Sequence, residues 1–396
     1  MPAEPLVSSN KIALLKTSAQ PGSFRGRRTE PATATIRAFA EGDVSAAAAL
    51  FARVYPEYRW GSQAACESYF REMLFDNPWR DPELPSWVAE EDGRIAGFQA
   101  VIPRPMQFRG RPIRVAVSCQ FMVDPDQRHS LTAVQLLKAC FSGPQDLTLA
   151  DGSSAKARRM WTGIGGTAPP LYSLHWIRPL RPARYALSLL EERAGFLRPL
   201  ALTGRPLGVL ADAFAARLPQ NRFFRDAAGL VEDALDPATM LAHLPEILRG
   251  CALQPVYDAR SLAWLLEQTA LKTRHGTLRA RAVRDGEGRR LIGWYLYYAL
   301  EGGVSEVVQV AALNGSFDRV LQRLLADAWR CGAAAVRGRV DPRYVQELSD
   351  RHCWFRWDST WTLVHSRHPE LTAAIHQGDA FLSRLEGEWW LRFLGG

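Results

Sequence analysis

The sequence predicts a mixed α/β protein built from two units of similar design, each a mostly antiparallel sheet flanked by helices. Apolar runs separated by Asp-Gly or Arg-Gly dipeptides predict antiparallel hairpins. A helix with apolar residues at helical spacing follows the hairpins, and a short buried strand follows that helix, which predicts a parallel βαβ element. This order occurs twice along the 396 residues. A chain of that length can bury two hydrophobic cores.

The first unit covers residues 34–185. It begins with a strand near Thr35 and two helices, the second of which spans about 62–74. Antiparallel strands joined by turns at Asp92-Gly93 and Arg109-Gly110 follow at 86–90, 94–103 and 112–123. The unit then continues with a helix at 126–141, a buried strand in DLTLADG, a helix at 153–164 and a last strand in LYSLHWIRP.

The second unit covers residues 251–396 and repeats this order. Its hairpin turns at Asp285-Gly286, and RRLIGWYLY in that hairpin is similar to GRIAGFQAV in the first unit. The elements expected after the hairpin are a strand in SEVVQVAAL, a helix at 316–331, a strand in AAVRGRV, a helix at 342–351 and one strand in CWFRWDSTWTLVHS. We therefore infer an internal duplication, which would take the place of a homodimer, and expect a monomer.

Two segments lie outside these units. Residues 1–33 contain Pro, Ser, Thr and Arg without a sustained apolar stretch, so we expect a disordered tail. Residues 186–250 are rich in Leu, Ala, Arg and Pro, which predicts a mostly helical linker or insertion.

Composition narrows the class of protein. Hydrophobic residues make up 47% and charged residues 23%, as in ordinary globular proteins. The net charge is +8, but the basic residues are dispersed, which favours a solvated surface and a phosphate-bearing ligand over nucleic acid. No segment reaches the roughly 18 apolar residues of a membrane span. The six cysteines form no CxxC pair, so we expect neither a metal site nor disulfides, and a cytoplasmic location.

The segment VDPDQRHSLTAVQLLKA at 123–139 carries the clearest functional signal. A strand ends there, and a short loop opens a helix. A helix N-terminus offers unpaired N–H groups and a positive dipole end, which suit a pyrophosphate. The segment resembles the acyl-CoA-binding signature of the GNAT acyltransferase superfamily, Arg-x-x-Gly-x-Gly/Ala, with Arg128 and Ala133 at its two ends.

A second segment, ADGSSAKARRMWTGIGG at 150–166, resembles the later helix of that superfamily. The double arrangement is similar to that of tandem GNAT proteins, among them polysaccharide-cluster acetyltransferases and, more distantly, Fem-type aminoacyltransferases. The resemblance implies that acetyl-CoA donates an acetyl group to an amine or hydroxyl of a small molecule or saccharide. It also implies the residues of the acetyl-CoA site, which are Met122, Val123, Arg128, His129, Ser130, Leu131, Thr132 and Ala133.

Within that set, the backbone near Met122 or Val123 would polarise the thioester carbonyl. The loop departs from the family pattern, since Leu131 takes the place of its first glycine. Trp161 stands where many members have a tyrosine that acts as general acid, and an indole cannot protonate a thiolate. The corresponding loop of the second unit, LNGSFDRVLQRL, has no leading arginine, so we expect no CoA there.

The sequence offers several candidates for the catalytic groups. Candidates for the base are Glu72, Gln120 acting through a water, and Asp151, which could instead cap the following helix. Tyr172 is a candidate for the missing acid. Two other functions also remain: a catalytically degenerate binding or scaffold protein, and Fem-like transfer from an aminoacyl-tRNA.

Overall fold

The computed structural model describes residues 34–56, 58, 60–127, 131–193, 229–286, 289–357 and 360–392. Within these ranges the chain forms two seven-stranded mixed sheets with flanking helices, which confirms the predicted fold class. The tail expected at 1–33 lies outside the described residues. No helix in the described ranges combines the length and apolarity that a bilayer crossing requires.

The first sheet has the order β1-β2-β3-β4-β5-β14, with β8 paired to β3. The parallel neighbours in this sheet are β4 and β5, and the other pairs are antiparallel. Its strands are β1 (Thr35–Ala38), β2 (Trp87–Glu91), β3 (Arg94–Phe108), β4 (Arg111–Val123), β5 (Leu147–Ser153), β8 (Leu253–Pro255) and β14 (Trp361–His365).

The second sheet has the order β13-β6-β12-β11-β10-β9-β7, and its parallel neighbours are β11 and β12. Its strands are β6 (Leu174–Pro179), β7 (Leu230–Ala234), β9 (Thr277–Asp285), β10 (Leu291–Ala299), β11 (Val304–Ala312), β12 (Ala335–Arg339) and β13 (Trp354–Trp357).

Helices flank both sheets and follow the predicted order closely. Those of the first half are α1 (Val44–Val54), α2 (Gln63–Leu74), α3 (Thr132–Phe141), α4 (Ala155–Gly163), α5 (Pro170–Ser173) and α6 (Pro182–Arg193). Those that follow are α7 (Pro237–Ile247), α8 (Ala259–Ala270), α9 (Phe317–Arg330), α10 (Val345–Asp350) and α11 (Pro369–His376). The helix expected to begin at Asp126 begins at Thr132 instead, because Pro125–Gln127 forms a separate 3₁₀ turn.

Two segments differ locally from their predictions. Residues 230–234, within the segment expected to be mostly helical, form the edge strand β7 and pair with β9. Residues 194–228 of that segment lie outside the described residues. β7 is short and half polar, so it lacks a recognisable alternation. The segment CWFRWDSTWTLVHS was expected to form one strand, but it divides into β13 in the second sheet and β14 in the first.

The two halves of the chain exchange their last strands. β6 was expected to close the first unit, but it lies between β12 and β13 in the second sheet. In return, β14 from the second half pairs with β5. Each sheet is therefore completed by a strand from the other half, and the division of the chain at 185 and 251 remains a prediction.

The sheets also share one hydrophobic core. Buried side chains of the first half, such as Phe98 and Met122, belong to the same cluster as Leu262 and Trp294 of the second half. Phe381, from the end of the chain, lies in this cluster too. The strand exchange and the common core both couple the halves mechanically.

This coupling predicts cooperative unfolding. We expect the full chain to unfold in guanidinium in one transition, coincident by far-UV circular dichroism and tryptophan fluorescence. A chain limited to 34–185 should aggregate, because the β5 edge and all of β6 lose their partners. Two separated transitions, or a soluble and folded 34–185 fragment, would contradict the coupling.

Candidate functional site

The two parallel strands of the first sheet separate towards their carboxyl ends. β4 and β5 pair from Val115↔Leu147 to Val117↔Leu149, and β4 then continues against β3 as far as Val123. β5 instead follows β14 as far as Ser153. The carboxyl ends of adjacent parallel strands thus diverge, which is where ligands bind in open α/β sheets. We call this the first opening.

A β-bulge shapes the β4 side of the first opening. The β3–β4 register shifts between Phe98 and Ala100, and Gln120 has a φ of 50°. Such a left-handed backbone is uncommon for a residue other than glycine and concentrates at functional sites. The Gln99 amide donates to the Cys119 carbonyl at 2.9 Å, which supports the bulge from within the sheet.

The side chain of Gln120 is fixed at one end only. It is buried, and its Nε2 donates to the Tyr69 hydroxyl at 2.5 Å. Its Oε1 has no hydrogen-bond partner among the described residues. A buried polar atom without a partner is costly, so this amide is available to a bound molecule or water.

The helix after β4 begins without a capping side chain. The N-cap residue of α3 is Leu131, which is 71% exposed, and the first turn of α3 contains no acidic residue. Thr132 and Leu136 pack α3 onto β3 at Gly97, where a Cβ atom would lie 2.8 Å from Leu136 Cδ1. The predicted residues Arg128, His129 and Ser130 lie outside the described residues.

The end of the chain crosses from the second sheet to the first. We call residues 379–392, which follow α11, the C-terminal segment. In the second sheet, β11 and β12 pair from Val304↔Ala335 to Glu306↔Arg337 and then diverge, as β4 and β5 do. We call this gap the second opening.

The C-terminal segment fills the second opening. The Arg384 N–H donates to the Val308 carbonyl at 3.1 Å, and the Arg384 guanidinium pairs with Glu306 at 2.7 Å. Gln309 Nε2 donates to Ser383 Oγ at 3.1 Å. The cavity that remains has a volume of about 40 Å³. That volume suits a few water molecules and is far too small for a cofactor.

The same segment then reaches the first opening. Arg104 on β3 donates to the Leu385 carbonyl at 2.8 Å, and the Tyr257 hydroxyl donates to Glu386 at 2.6 Å. The Glu388 N–H donates to Asp151 Oδ1 at 2.6 Å, and the Gly152 N–H donates to Glu388 Oε1 at 3.0 Å. The segment is therefore tied to β5 where β5 has left β4.

Burial and neighbouring charges set the electrostatics of this region. Asp151 is buried and forms an ion pair with Arg339 of β12. Burial, followed by the negative charge of Asp151, raises the pKa of Glu388 to about 8, against a smaller opposing effect of Lys272. Burial also raises the pKa of the Cys119 thiol on β4, and the charge of Glu388 adds to that shift. The charge of Glu388 thus interacts with Cys119 on β4 and with Asp151 on β5, one group on each strand of the first opening.

The structure brings three predicted catalytic candidates around the C-terminal segment. Asp151 contacts Glu388, as described, and does not cap α4, since Ser154 accepts from the Ala157 N–H at 3.2 Å. Glu72 accepts from Arg392 at 2.7 Å and from Gln268 at 2.5 Å. Gln120 is the third, since it contacts Tyr69, and the Arg392 guanidinium lies over the Tyr69 ring at 5.4 Å from its centroid.

Tyr172 and Trp161 lie apart from this group. The Tyr172 hydroxyl donates to the Ala380 carbonyl at 2.6 Å and accepts from the Ala380 N–H at 3.2 Å, so it fixes the start of the C-terminal segment. Trp161 is buried edge-on against Phe141, with ring centroids 4.7 Å apart. Glu388 was not predicted from the sequence, because its neighbours Gly387, Trp389 and Trp390 are typical of a protein core.

Solved structures with this architecture are known. A GCN5-related N-acetyltransferase from Kribbella flavida has a TM-score of 0.54 at 11% identity, over 85% of this chain and 72% of that one. The chain has the GNAT fold. A conserved protein of unknown function from Enterococcus faecalis V583 has a TM-score of 0.54 at 9% identity, over 84% of this chain and 73% of that one.

A third GNAT-fold structure is a GCN5-related N-acetyltransferase from Anabaena variabilis, with a TM-score of 0.51 at 11% identity, over 83% of this chain and 72% of that one. No protein-family model matches the sequence. No curated protein is significantly similar to it in sequence. The similarity to known proteins therefore lies in the GNAT fold and not in the sequence.

The path of the C-terminal segment predicts the effect of one substitution. A Cβ atom at Gly387 would overlap the Asp151 carboxyl, so Gly387→Ala should destabilise the protein by about 1–3 kcal/mol. Gly163→Ala is the control, because nothing lies within 4 Å of a Cβ there. Denaturant midpoints measure both. Equal stability of the two variants would show that the segment does not pass Asp151 this closely.

Proposed function

We propose that this protein is an acyl-CoA-dependent acyltransferase and that its active site is the first opening. The observation that carries the proposal is the divergence of β4 and β5 beside a strained bulge at Gln120, in a GNAT fold. Two of the similar structures are described as N-acetyltransferases. The acceptor we propose is an amine or hydroxyl of a small molecule or saccharide.

Acetyl-CoA is the proposed acyl donor. Its pyrophosphate would lie against the loop at 129–133 and Arg128, at the start of α3. The uncapped start of α3 and the absence of an acidic residue from its first turn fit a polyanion. The backbone near Met122 and Val123, at the end of β4, would face the thioester carbonyl. The unpartnered amide oxygen of Gln120 is a further acceptor for an N–H or O–H within this opening.

We propose that one acetyl-CoA binds per chain, in the first half only. The C-terminal segment already occupies the second opening, and the remaining 40 Å³ cannot hold a pantetheine arm. The start of α9, beyond the second opening, carries Asp318 in its first turn. A carboxylate there opposes phosphate binding.

Acyl transfer at this site would be direct. The nucleophile of the acceptor forms a bond to the thioester carbon, the bond to sulfur breaks, and the electron pair leaves on the CoA sulfur. Since Trp161 lies in the core, this thiolate would take its proton from water. Backbone N–H groups aimed at the carbonyl oxygen would stabilise the charge that develops there.

Calorimetry with acetyl-CoA tests the binding site. We expect one site per chain and a roughly 10- to 100-fold weaker affinity for Arg128→Ala, as for the loss of a charge-assisted contact with phosphate. Thr132→Pro should weaken binding further, because it removes a backbone donor and obstructs the loop. Arg319→Ala is the control, since Arg319 lies near the start of α9 and pairs with Asp285 at 3.6 Å.

Two results would contradict this site: two molecules bound per chain, or equal losses for Arg128→Ala and Arg319→Ala. Release of free CoA thiol in the presence of amines and amino sugars then tests turnover. Binding of acetyl-CoA without thiol release for any acceptor would instead favour the degenerate binding protein. A requirement for aminoacyl-tRNA would favour Fem-like transfer.

A further inference from the structure

Most carboxylates along the C-terminal segment are held by donor side chains. Glu306 accepts from Arg337 at 2.8 Å and from Arg384 at 2.7 Å. Glu386 accepts from Tyr257, Asp151 from Arg339, and Glu72 from Arg392. For the buried members Asp151, Glu306 and Glu386, these partners account for their burial.

Glu388 is different. Within the described residues its carboxylate interacts with the backbone N–H groups of Gly152, at 3.0 Å, and of Asp151, and it forms no ion pair. Glu388 as a whole residue is partly exposed. Because no ion pair is lost when it is protonated, its carboxylate can take up a proton.

The position of Glu388 suits a reaction at the first opening. It contacts β5 at Gly152, beyond the last residue that pairs with β4. Its charge acts on Cys119, which precedes the bulge residue Gln120 on β4. The carboxylate therefore lies alongside the gap in which the thioester would meet its acceptor.

We propose that Glu388 accepts the proton of the acceptor nucleophile, and that the second half of the chain serves to hold the segment that carries it. The inference rests on the proposed function. As the nitrogen or oxygen of the acceptor bonds to the thioester carbon, its proton passes to Glu388 Oε2 or Oε1. The C–S bond breaks, the sulfur keeps the electron pair, and water protonates it. Glu388 then returns its proton to solvent.

The anchors of this segment lie in both halves of the chain. In the second half, Arg384 is fixed by Glu306 and by the carbonyls of β11, and Lys272 contacts the Trp389 carbonyl. In this way contacts made in the second opening help to position Glu388 at the first opening. The second half would thus contribute to catalysis without binding acetyl-CoA.

The ionisable neighbours of Glu388 determine how its activity depends on pH. Asp151 raises the pKa of Glu388, Lys272 lowers it, and burial makes the largest contribution, for a value of about 8. Arg339 is paired with Asp151, and the Cys119 thiol stays protonated because burial raises its pKa. Only ionised Glu388 accepts a proton, so kcat/KM should rise with pH through about 8 and fall below it.

Steady-state kinetics with acetyl-CoA test the proposal. Glu388→Gln should lower kcat by roughly 10²- to 10⁴-fold, the usual contribution of a general base, with an unchanged Kd for acetyl-CoA. Its amide oxygen can still accept from Gly152, and acetyl-CoA binding reports whether the variant is folded. Glu370→Gln on α11, whose side chain is 56% exposed, is the control and should behave as the wild type.

The wild-type pH profile provides a second test that needs no variant. With two amine acceptors of different amine pKa, the rise near pH 8 should stay in place, because it belongs to the enzyme. A rise that follows the amine pKa, or Glu388→Gln with wild-type kcat, would overturn the role of Glu388. Wild-type protein that binds acetyl-CoA and turns over no acceptor would instead refute the proposed function.

Discussion

Each sheet of this protein depends on a strand that comes from the other half of the chain. Without β14, β5 would be an open edge next to the site, and without β6 the edge of β12 would be exposed. Along the described strands the chain changes sheet four times, between β5 and β6, β7 and β8, β8 and β9, and β13 and β14. The shared hydrophobic core and the path of the C-terminal segment follow from this arrangement.

Both openings arise where two parallel strands diverge, but the C-terminal segment contacts them differently. In both sheets a pair of parallel strands diverges after three residue pairs and leaves backbone groups without a partner strand. In the second sheet the C-terminal segment satisfies the β11 carbonyls of Val307 and Val308 and closes the gap. In the first sheet the segment is bound to β5 through Asp151 and Gly152 and to β3 through Arg104, and we propose the gap between β4 and β5 as the acetyl-CoA site.

Local patterns in the sequence were sufficient to predict most of the elements, but not β7 or the division between β13 and β14. Asp92-Gly93 and Asp285-Gly286 mark hairpin turns, and apolar spacing marks α3 and α9, because both signals arise from neighbouring residues. Strand partners were not predictable in the same way. The segments LHWIRP and WTLVH read equally well as the last strand of either sheet, since alternation identifies a strand but not its neighbour.

Part of the candidate site was also predictable from the sequence. Gln120 and Asp151 were identified because each lies near the end of a predicted strand beside the expected cleft. Glu388 could not be found by this reasoning, because it contacts Gly152 from 236 positions away and lies in the aromatic sequence EGEWW. Gly387, where a Cβ would overlap Asp151, is the one local signal that the chain passes another group closely there.

A crystal structure of the protein with bound acetyl-CoA would test the central claim most directly. The account predicts one molecule per chain, with its pantetheine arm between β4 and β5, its pyrophosphate at the start of α3, and residues 381–384 still in the second opening. Density for the pantetheine arm between β11 and β12, with the C-terminal segment displaced, would contradict it.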